Sequence, residues 1–516
     1  MTESPRTIDA VLRRHSAATP DQTAVVDPET RLSYRDLDST SARLAARLVA
    51  AGIRKGTRVG VLLPNSATWV QLACALTRIG AVLVPLSTLL RGGELSAQLR
   101  VAAVQHVLTT AEFRGRRFLD EFAALDRAEL PALQQVWEDG AILSAGAEEV
   151  PGGFVAALAD TVRPADPLAV IFTSGSSGAP KGVRHSHGNA LAAVRSGLAA
   201  RCVTADSTLY LPMPFFWVGG FSGGIMTALA AGATLVTEAI PAPETTLPLL
   251  ARERVTLFRG WPDQAEALAR HPDAAGTDLS SLRPGSLEAL LPPQLRGAPG
   301  ARAKLFGMTE SFGPYCGYPA DTDMPTAAWG SCGKPFPGMD VRIVDPETGV
   351  PVATGTVGVI QIRGPHVMRG LCRRGHHEVF TADGYYPTGD LGHLDAQGFL
   401  FYHGRADDMF KVSGATVYPS EVEAVLRRLP GVRATFVTNT PGPQGDTVAA
   451  LVVGDVGVLS EDALTSAARA ELSAFKVPTR WLLTDDEDLV PRGATGKLDA
   501  RRLRAQFSES EPRAEG

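Results

Sequence analysis

The sequence predicts an α/β protein: a large N-terminal domain of α/β sheets with a small β-rich subdomain, then a small α+β C-terminal domain. Three observations predict it. At 516 residues the chain is too long for one hydrophobic core. Apolar strand-like runs alternate with helical patterns through residues 1–400, as parallel sheets require. The texture then changes twice, to short strands and turns from about 330 and again after GRADD (404–408).

The elements follow in order. RVGVLL (58–63) reads as a buried strand and TWVQLACALTRIG (68–80) as the helix after it. DPLAVIF (166–172), apolar and β-branched, is a strand that breaks into Thr173-Ser174-Gly175-Ser176-Ser177-Gly178, with Lys181 after Ala-Pro. MDVRIVDPETG, GVIQIRG and GFLFYHG alternate polar and apolar residues and form the β-rich subdomain. SEVEAVLRRL (420–429) places Val422, Val425, Leu426 and Leu429 on one helix face, ended by Pro430. VRATFVTN and TVAALVVGD are strands of the last domain, and the polar tail SESEPRAEG is expected to be disordered. The domain split is expected at 1–404 and 405–516.

Composition excludes several classes. A net charge of −5 leaves no basic footprint for nucleic acid. The most apolar region, 59–86, is interrupted by Pro64, Asn65, Gln71 and Arg78, so no membrane span is expected. No secretory signal opens the chain, and five scattered cysteines without a C-x-x-C pair suit a reducing cytoplasm. Oligomeric state is not legible. Only seven of the 50 basic residues are lysines, so each lysine in a glycine-rich stretch is a candidate for work that a planar guanidinium cannot do.

The 173–181 loop offers amide and hydroxyl donors with glycines that permit close approach, which suits polyphosphate oxygens. Gly178 and Lys181 are separated by Ala-Pro, so it is not a Walker loop. In LFGMTESFG (305–313), Glu310 is a hard oxygen ligand suited to Mg²⁺ beside a phosphate. In YYPTGDLG (385–392), Asp390 sits in an expected tight glycine turn where a carboxylate can take both ribose hydroxyls. YHGRADDMFKVSGATVYP (402–419) supplies Arg405, Asp407 and Lys411, and PRGATGKLDARRL (491–503) sets Lys497 in a loop before a helix.

TSGSSGAPKG, FGMTE, TGD, GRADDMFKVSG and PRGATGK, in that order, resemble the adenylate-forming superfamily. It comprises acyl- and aryl-CoA synthetases, adenylation domains of nonribosomal peptide synthetases, and firefly-type luciferases. The resemblance extends to SYRDLDSTSARLAARLVAAGIRKGTRVGVLLPN (33–65) and so spans essentially the whole chain. It implies a mobile C-terminal domain and two half-reactions: ATP and a carboxylic acid give acyl-adenylate and pyrophosphate, then a thiol displaces AMP. It also implies roles. Thr173 to Gly178 and Lys181 grip the β- and γ-phosphates, Thr309 the α-phosphate, Glu310 the Mg²⁺, and Asp390 the ribose. Phe306 stacks on adenine, and Arg405 binds ribose or phosphate. Lys497 bridges the acid's carboxylate and the α-phosphate. The hinge falls at Asp407, and the Lys411–Gly414 loop serves thiol entry.

The chain departs from the family's pattern at three places. Phe306 stands where many relatives have tyrosine, and Trp217 where many have histidine. LEALLPPQL (287–295) replaces a G-G-A-P-L-P stretch, which bears on adenine and acyl-pocket geometry. Amino-acid-activating relatives carry an aspartate beside the aromatic run; this run, Phe215 to Phe221, has none to pair an ammonium. Phe216, Trp217, Gly219, Gly220 and Phe221, with Gly223 and Gly224, therefore suggest a pocket for a bulky hydrophobic or aromatic acid. No carrier domain follows Lys497, which favours CoA as the thiol; the alternative is the phosphopantetheine of a separate carrier protein. A catalytically inert relative is expected to lose Lys497 or Glu310, and both are present. A luciferase-like oxygenase is separated only by assay of light or O₂ consumption.

Overall fold

The structure, a computed structural model, describes residues 5–144, 150–151, 153–173, 180–406, 409–412, 415–442, 445–492 and 498–509. The expected α/β class is the one found. The chain divides into two compact units: residues 1–341, 362–386 and 398–400 form the first, and 342–361, 387–397 and 401–516 the second.

In the first unit a seven-stranded sheet is ordered 370–371, 181–186, 167–173, 82–85, 58–62, 106–109, 135–138. Its strands from 167–173 onward run parallel, and the first two add antiparallel. Parallel strands need crossovers, and the strand Arg58–Leu62 duly feeds the helix Ala67–Arg78. Ser66 caps that helix by accepting from Trp69 N at 3.2 Å. Trp69, Leu72 and Leu76 pack with Leu37, Leu44 and Leu48 of the helix Tyr34–Ala50 in the main core. Each such side chain contributes about 1.5–3 kcal/mol by leaving water. A second, five-stranded sheet is ordered 257–258, 208–210, 234–236, 23–26, 31–33.

The second unit holds most of a four-stranded sheet ordered 340–344, 358–363, 386–394, 400–405. This is the β-rich stretch expected within the N-terminal domain, and 342–361 and 387–397 fall in the unit that also holds 401–516. Here too the helix Pro419–Leu426 buries Val422, Val425 and Leu426, and it stops short of Leu429. The antiparallel strands Val432–Gly442 and Gly445–Gly454 complete a three-stranded sheet with the parallel Arg480–Thr484. No described helix is long and apolar enough to cross a membrane, and all five cysteines are free.

Candidate active site

The strand Pro167–Thr173, apolar and buried from Leu168 to Ile171, turns back antiparallel as Lys181–Ser186. Thr173 and Lys181 are cross-strand partners at the mouth of this hairpin. Ser174 to Gly178, the expected phosphate grip, lie outside the described residues.

Next to this hairpin, in the same unit, stands the turn carrying Thr309 and Glu310. The strand Phe306–Met308 pairs with Gly313–Gly317, and Thr309–Ser311 forms a single 3₁₀ turn between them. Gly307 has to be glycine: a Cβ there would sit 2.1 Å from the Gly313 carbonyl oxygen. Phe312 closes the turn at φ +54°, a left-handed conformation that costs a non-glycine residue about 1–2 kcal/mol. Side chains hold it there. The Ser222 hydroxyl donates to the Phe312 carbonyl at 2.7 Å and the Ser311 hydroxyl to that of Gly313 at 2.6 Å. At the other end, His185 Nε2 lies 2.9 Å from the Thr309 carbonyl oxygen.

Glu310 is 6% exposed, with the Tyr386 hydroxyl donating to its Oε1 at 3.2 Å and Met368 N to its backbone carbonyl at 2.8 Å. Among the described residues no three His, Cys, Asp or Glu side chains cluster as a protein-only metal cage. Mg²⁺ does not need one: it binds through one or two carboxylates plus substrate phosphates and water, and Glu310 fits that part. Phe306, half-buried, meets Tyr315 edge-on at 5.6 Å.

In the second unit Asp390 lies within the strand Tyr386–Leu394, not in the tight turn expected. Gly389, at φ +73°, supplies the local kink, and a Cβ there would meet the Arg405 guanidinium at 2.7 Å. Arg405 donates to Asp390 Oδ1 and to the Thr388 carbonyl, each at 2.9 Å. Asp390 N donates to the Thr388 hydroxyl at 3.0 Å. Asp390 is thus a buried carboxylate, an acceptor to which the hydroxyls of a diol can donate. The Lys411 backbone pairs with Thr416 in a two-stranded ribbon; Asp407, Gly414, Lys497 and the 510–516 tail lie outside the described residues.

The acyl-pocket candidates separate. Phe221 is core, with its ring 5.7 Å from Trp69 and 5.8 Å from Phe312. Phe216 is buried and meets Trp217 edge-on at 5.3 Å; Trp217, half-buried, in turn meets Trp261, 37% exposed, at 5.9 Å. The glycines differ as well. A Cβ on Gly220 would lie 2.1 Å from the Pro214 carbonyl oxygen, and one on Gly219 2.9 Å from the Met213 sulfur. At Gly223 the nearest atom is Leu211 Cδ1 at 3.8 Å, so of these three only Gly223 leaves room. The atypical 287–295 stretch contains two short 3₁₀ turns, Glu288–Leu290 and Pro293–Leu295, and its Leu290 and Leu291 pack into a hydrophobic cluster.

Four contributors went unread in the sequence: His185, Asn189, Ser222 and Tyr386. His185 did carry a signal, a histidine at an inward position of the strand Lys181–Ser186. Burial pushes its pKa down to about 3, so it is neutral.

The strand Lys181–Ser186 and the acidic turn at Thr309–Ser311 are thus joined through His185 on a two-unit α/β fold. Residues 12–372 match the family model described as AMP-binding enzyme. The chain is 32% identical to a methyl-dioxo-octahydro-indenyl-propanoyl:CoA ligase of Mycobacterium tuberculosis, over 98% of this chain and 99% of that one. It is 30% identical to indoleacetate–CoA ligase of Aromatoleum aromaticum, over 96% and 97%. Among solved structures it is similar to O-succinylbenzoate coenzyme A synthetase of Bacillus subtilis in complex with AMP, with a TM-score of 0.78, 25% identity and coverage of 96% and 98%. The chain belongs to the AMP-binding enzyme family, in its acyl-CoA synthetase branch, and is an acid–thiol ligase.

Proposed function

We propose that this ligase activates a bulky hydrophobic or aromatic carboxylic acid with ATP and Mg²⁺ and transfers the acyl group to CoA. The observation that carries the reading is the buried Glu310 on a turn hydrogen-bonded to the phosphate-loop hairpin. The named acids of the two relatives, both ring-bearing, support the substrate class, as do Trp217, Trp261 and the room at Gly223.

In the first step a carboxylate oxygen of the acid attacks the α-phosphorus, the bond to the bridging oxygen breaks, and pyrophosphate leaves. The acid is itself the nucleophile, so the protein's work is positioning and charge stabilisation. Thr173 to Gly178 and Lys181 take the β- and γ-phosphates, Thr309 the α-phosphate, and Glu310 the Mg²⁺, which neutralises phosphate charge when bound. Asp390 takes the ribose hydroxyls, Arg405 sits by ribose or phosphate, and Phe306 stacks on adenine. Lys497 neutralises charge building between the carboxylate and the α-phosphate. In the second step the thiol of CoA gives its proton to solvent water, its sulfur attacks the acyl carbonyl carbon, and AMP leaves with the bonding pair. The domain 405–516, turning at Asp407, replaces Lys497 with the Lys411–Gly414 loop between the steps. Free cysteines throughout suit a cytoplasmic setting.

Pyrophosphate release across a panel of carboxylic acids, followed by mass detection of the thioester, tests the reading. Ring acids should release pyrophosphate fastest, and CoA should then carry the acyl group. An acylated carrier protein with no acyl-CoA would move the thiol assignment to the carrier. Lys497→Ala should cut adenylation by about 10²–10³ while sparing thioester formation from supplied acyl-adenylate. Equal loss in both steps would make Lys497 structural.

A further inference from the structure

The turn bearing Thr309 and Glu310 is held from below by one imidazole, and its neighbours leave that imidazole only one tautomer. Asn189 Oδ1 accepts from the Ser186 amide at 2.7 Å, so the other atom of its amide is the nitrogen. That Nδ2 donates one hydrogen to the His366 carbonyl at 3.0 Å and lies 2.9 Å from His185 Nδ1. Nδ1 must therefore accept. A neutral imidazole then carries its one hydrogen on Nε2, 2.9 Å from the Thr309 carbonyl oxygen. The ring is 1% exposed and rests edge-on against Phe312 at 4.8 Å, so it cannot swing away.

The bond lands on a sensitive atom. The Thr309 carbonyl and the Glu310 amide belong to one planar peptide unit, so fixing the oxygen fixes the plane from which Glu310 departs. Ser222 fixes the other end of the turn at Phe312. Without the imidazole the Thr309 carbonyl keeps only the bond from Phe312 N, 3.0 Å away within its own turn, and loses its tie to the strand Lys181–Ser186, while Met368 N still holds the Glu310 carbonyl.

We infer that His185 is a positioning residue for adenylation: Asn189 sets its Nε2–H tautomer, and its hydrogen bond to the Thr309 carbonyl orients Thr309 and Glu310 toward the nucleotide. The inference rests on the proposed roles of Thr309 and Glu310.

Two amide substitutions separate positioning from packing. A glutamine amide reaches the place of Nε2, whereas an asparagine amide reaches only that of Nδ1. His185→Gln should keep pyrophosphate release within about threefold of the parent, and His185→Asn should lower its kcat about tenfold, the worth of one hydrogen bond. Thermal unfolding of the two variants should shift alike, which removes stability as the cause. Equal adenylation by both would overturn the role of His185. Glu310→Gln, assayed beside them, tests the reading beneath: if it keeps full adenylation, the turn is not the nucleotide site and the inference falls with it. If Glu310→Gln is disabled while the Asn and Gln variants match, only the His185 assignment fails. A second measurement needs only the glutamine variant. In ¹⁵N-histidine-labelled enzyme, the imidazole signals that vanish in His185→Gln should report hydrogen on Nε2, and hydrogen on Nδ1 would overturn the tautomer assignment.

Discussion

Replacing Gly220 and Gly223 by alanine in turn should have opposite effects, although both lie on the same helical stretch beside Trp217. At Gly220 the new Cβ would fall 2.1 Å from the Pro214 carbonyl oxygen, 2.5 Å from its carbon and 2.7 Å from the Met213 carbonyl oxygen. Ordinary van der Waals contact begins near 3.4 Å, so backbone has to move by about 1 Å, and strain of this kind costs about 1–3 kcal/mol. The Pro214 oxygen also accepts from Trp217 N at 3.1 Å, so the displacement is passed to the indole at the proposed pocket wall. At Gly223 the nearest atom is 3.8 Å away, and removing a helical glycine stabilises by roughly 0.5–1 kcal/mol. Gly220→Ala should therefore lie about 1.5–4 kcal/mol below Gly223→Ala, the sum of those two effects. Urea unfolding of the three proteins reads that gap, and pyrophosphate release on a panel of acids reads the pocket in parallel. Gly223→Leu, which adds bulk where a Cβ alone is accommodated, should exclude bulky acids and retain small ones with the KM for ATP unchanged. Stability of Gly220→Ala equal to the parent would refute the close-approach argument. An unchanged acid preference in Gly223→Leu would remove Gly223 from the pocket.

Glu310→Gln should lower adenylation by about 10²–10³ with unfolding little changed, as loss of one charge-stabilising group does; retained activity would exclude Glu310 as the magnesium ligand. Asp390→Asn should raise the KM for ATP ten- to a hundredfold, a charge-assisted hydrogen bond being worth ~1.5–3 kcal/mol, and an effect on the acid's KM instead would misplace the ribose. Stability should fall on acidification from pH 7.5 to 5.5. Burial depresses His185 to about 3 and His187 and His366 to about 4, all below the ordinary 6.5. The unfolded chain binds these protons first, so stability present above 6.5 is lost as pH falls toward 4. The sum at pH 5.5 is on the order of 4 kcal/mol. Asp9, raised by burial, acts in the opposite sense at lower pH. Unfolding midpoints flat across that range would contradict the neutral buried imidazoles.

Sequence alone determined the α/β class, the order of the chemical motifs and the residue types they offer. Those signals are local: a strand's apolar run, a helix's 3.6-residue period and a glycine-hydroxyl loop are all written within a dozen neighbouring residues. What only the tertiary structure decided depends on segments that meet from afar. Residues 342–361 and 387–397 fall in the second unit with 401–516, whereas the linear change of texture places the break at 404. Gly220 reads as open space in the sequence, yet the Pro214 carbonyl occupies that space. His185 looks like one more strand residue until its imidazole meets a carbonyl 124 residues away. A residue's type is chosen by its own codon, but its hydrogen-bond partner and its free volume are set by whichever distant backbone packs against it.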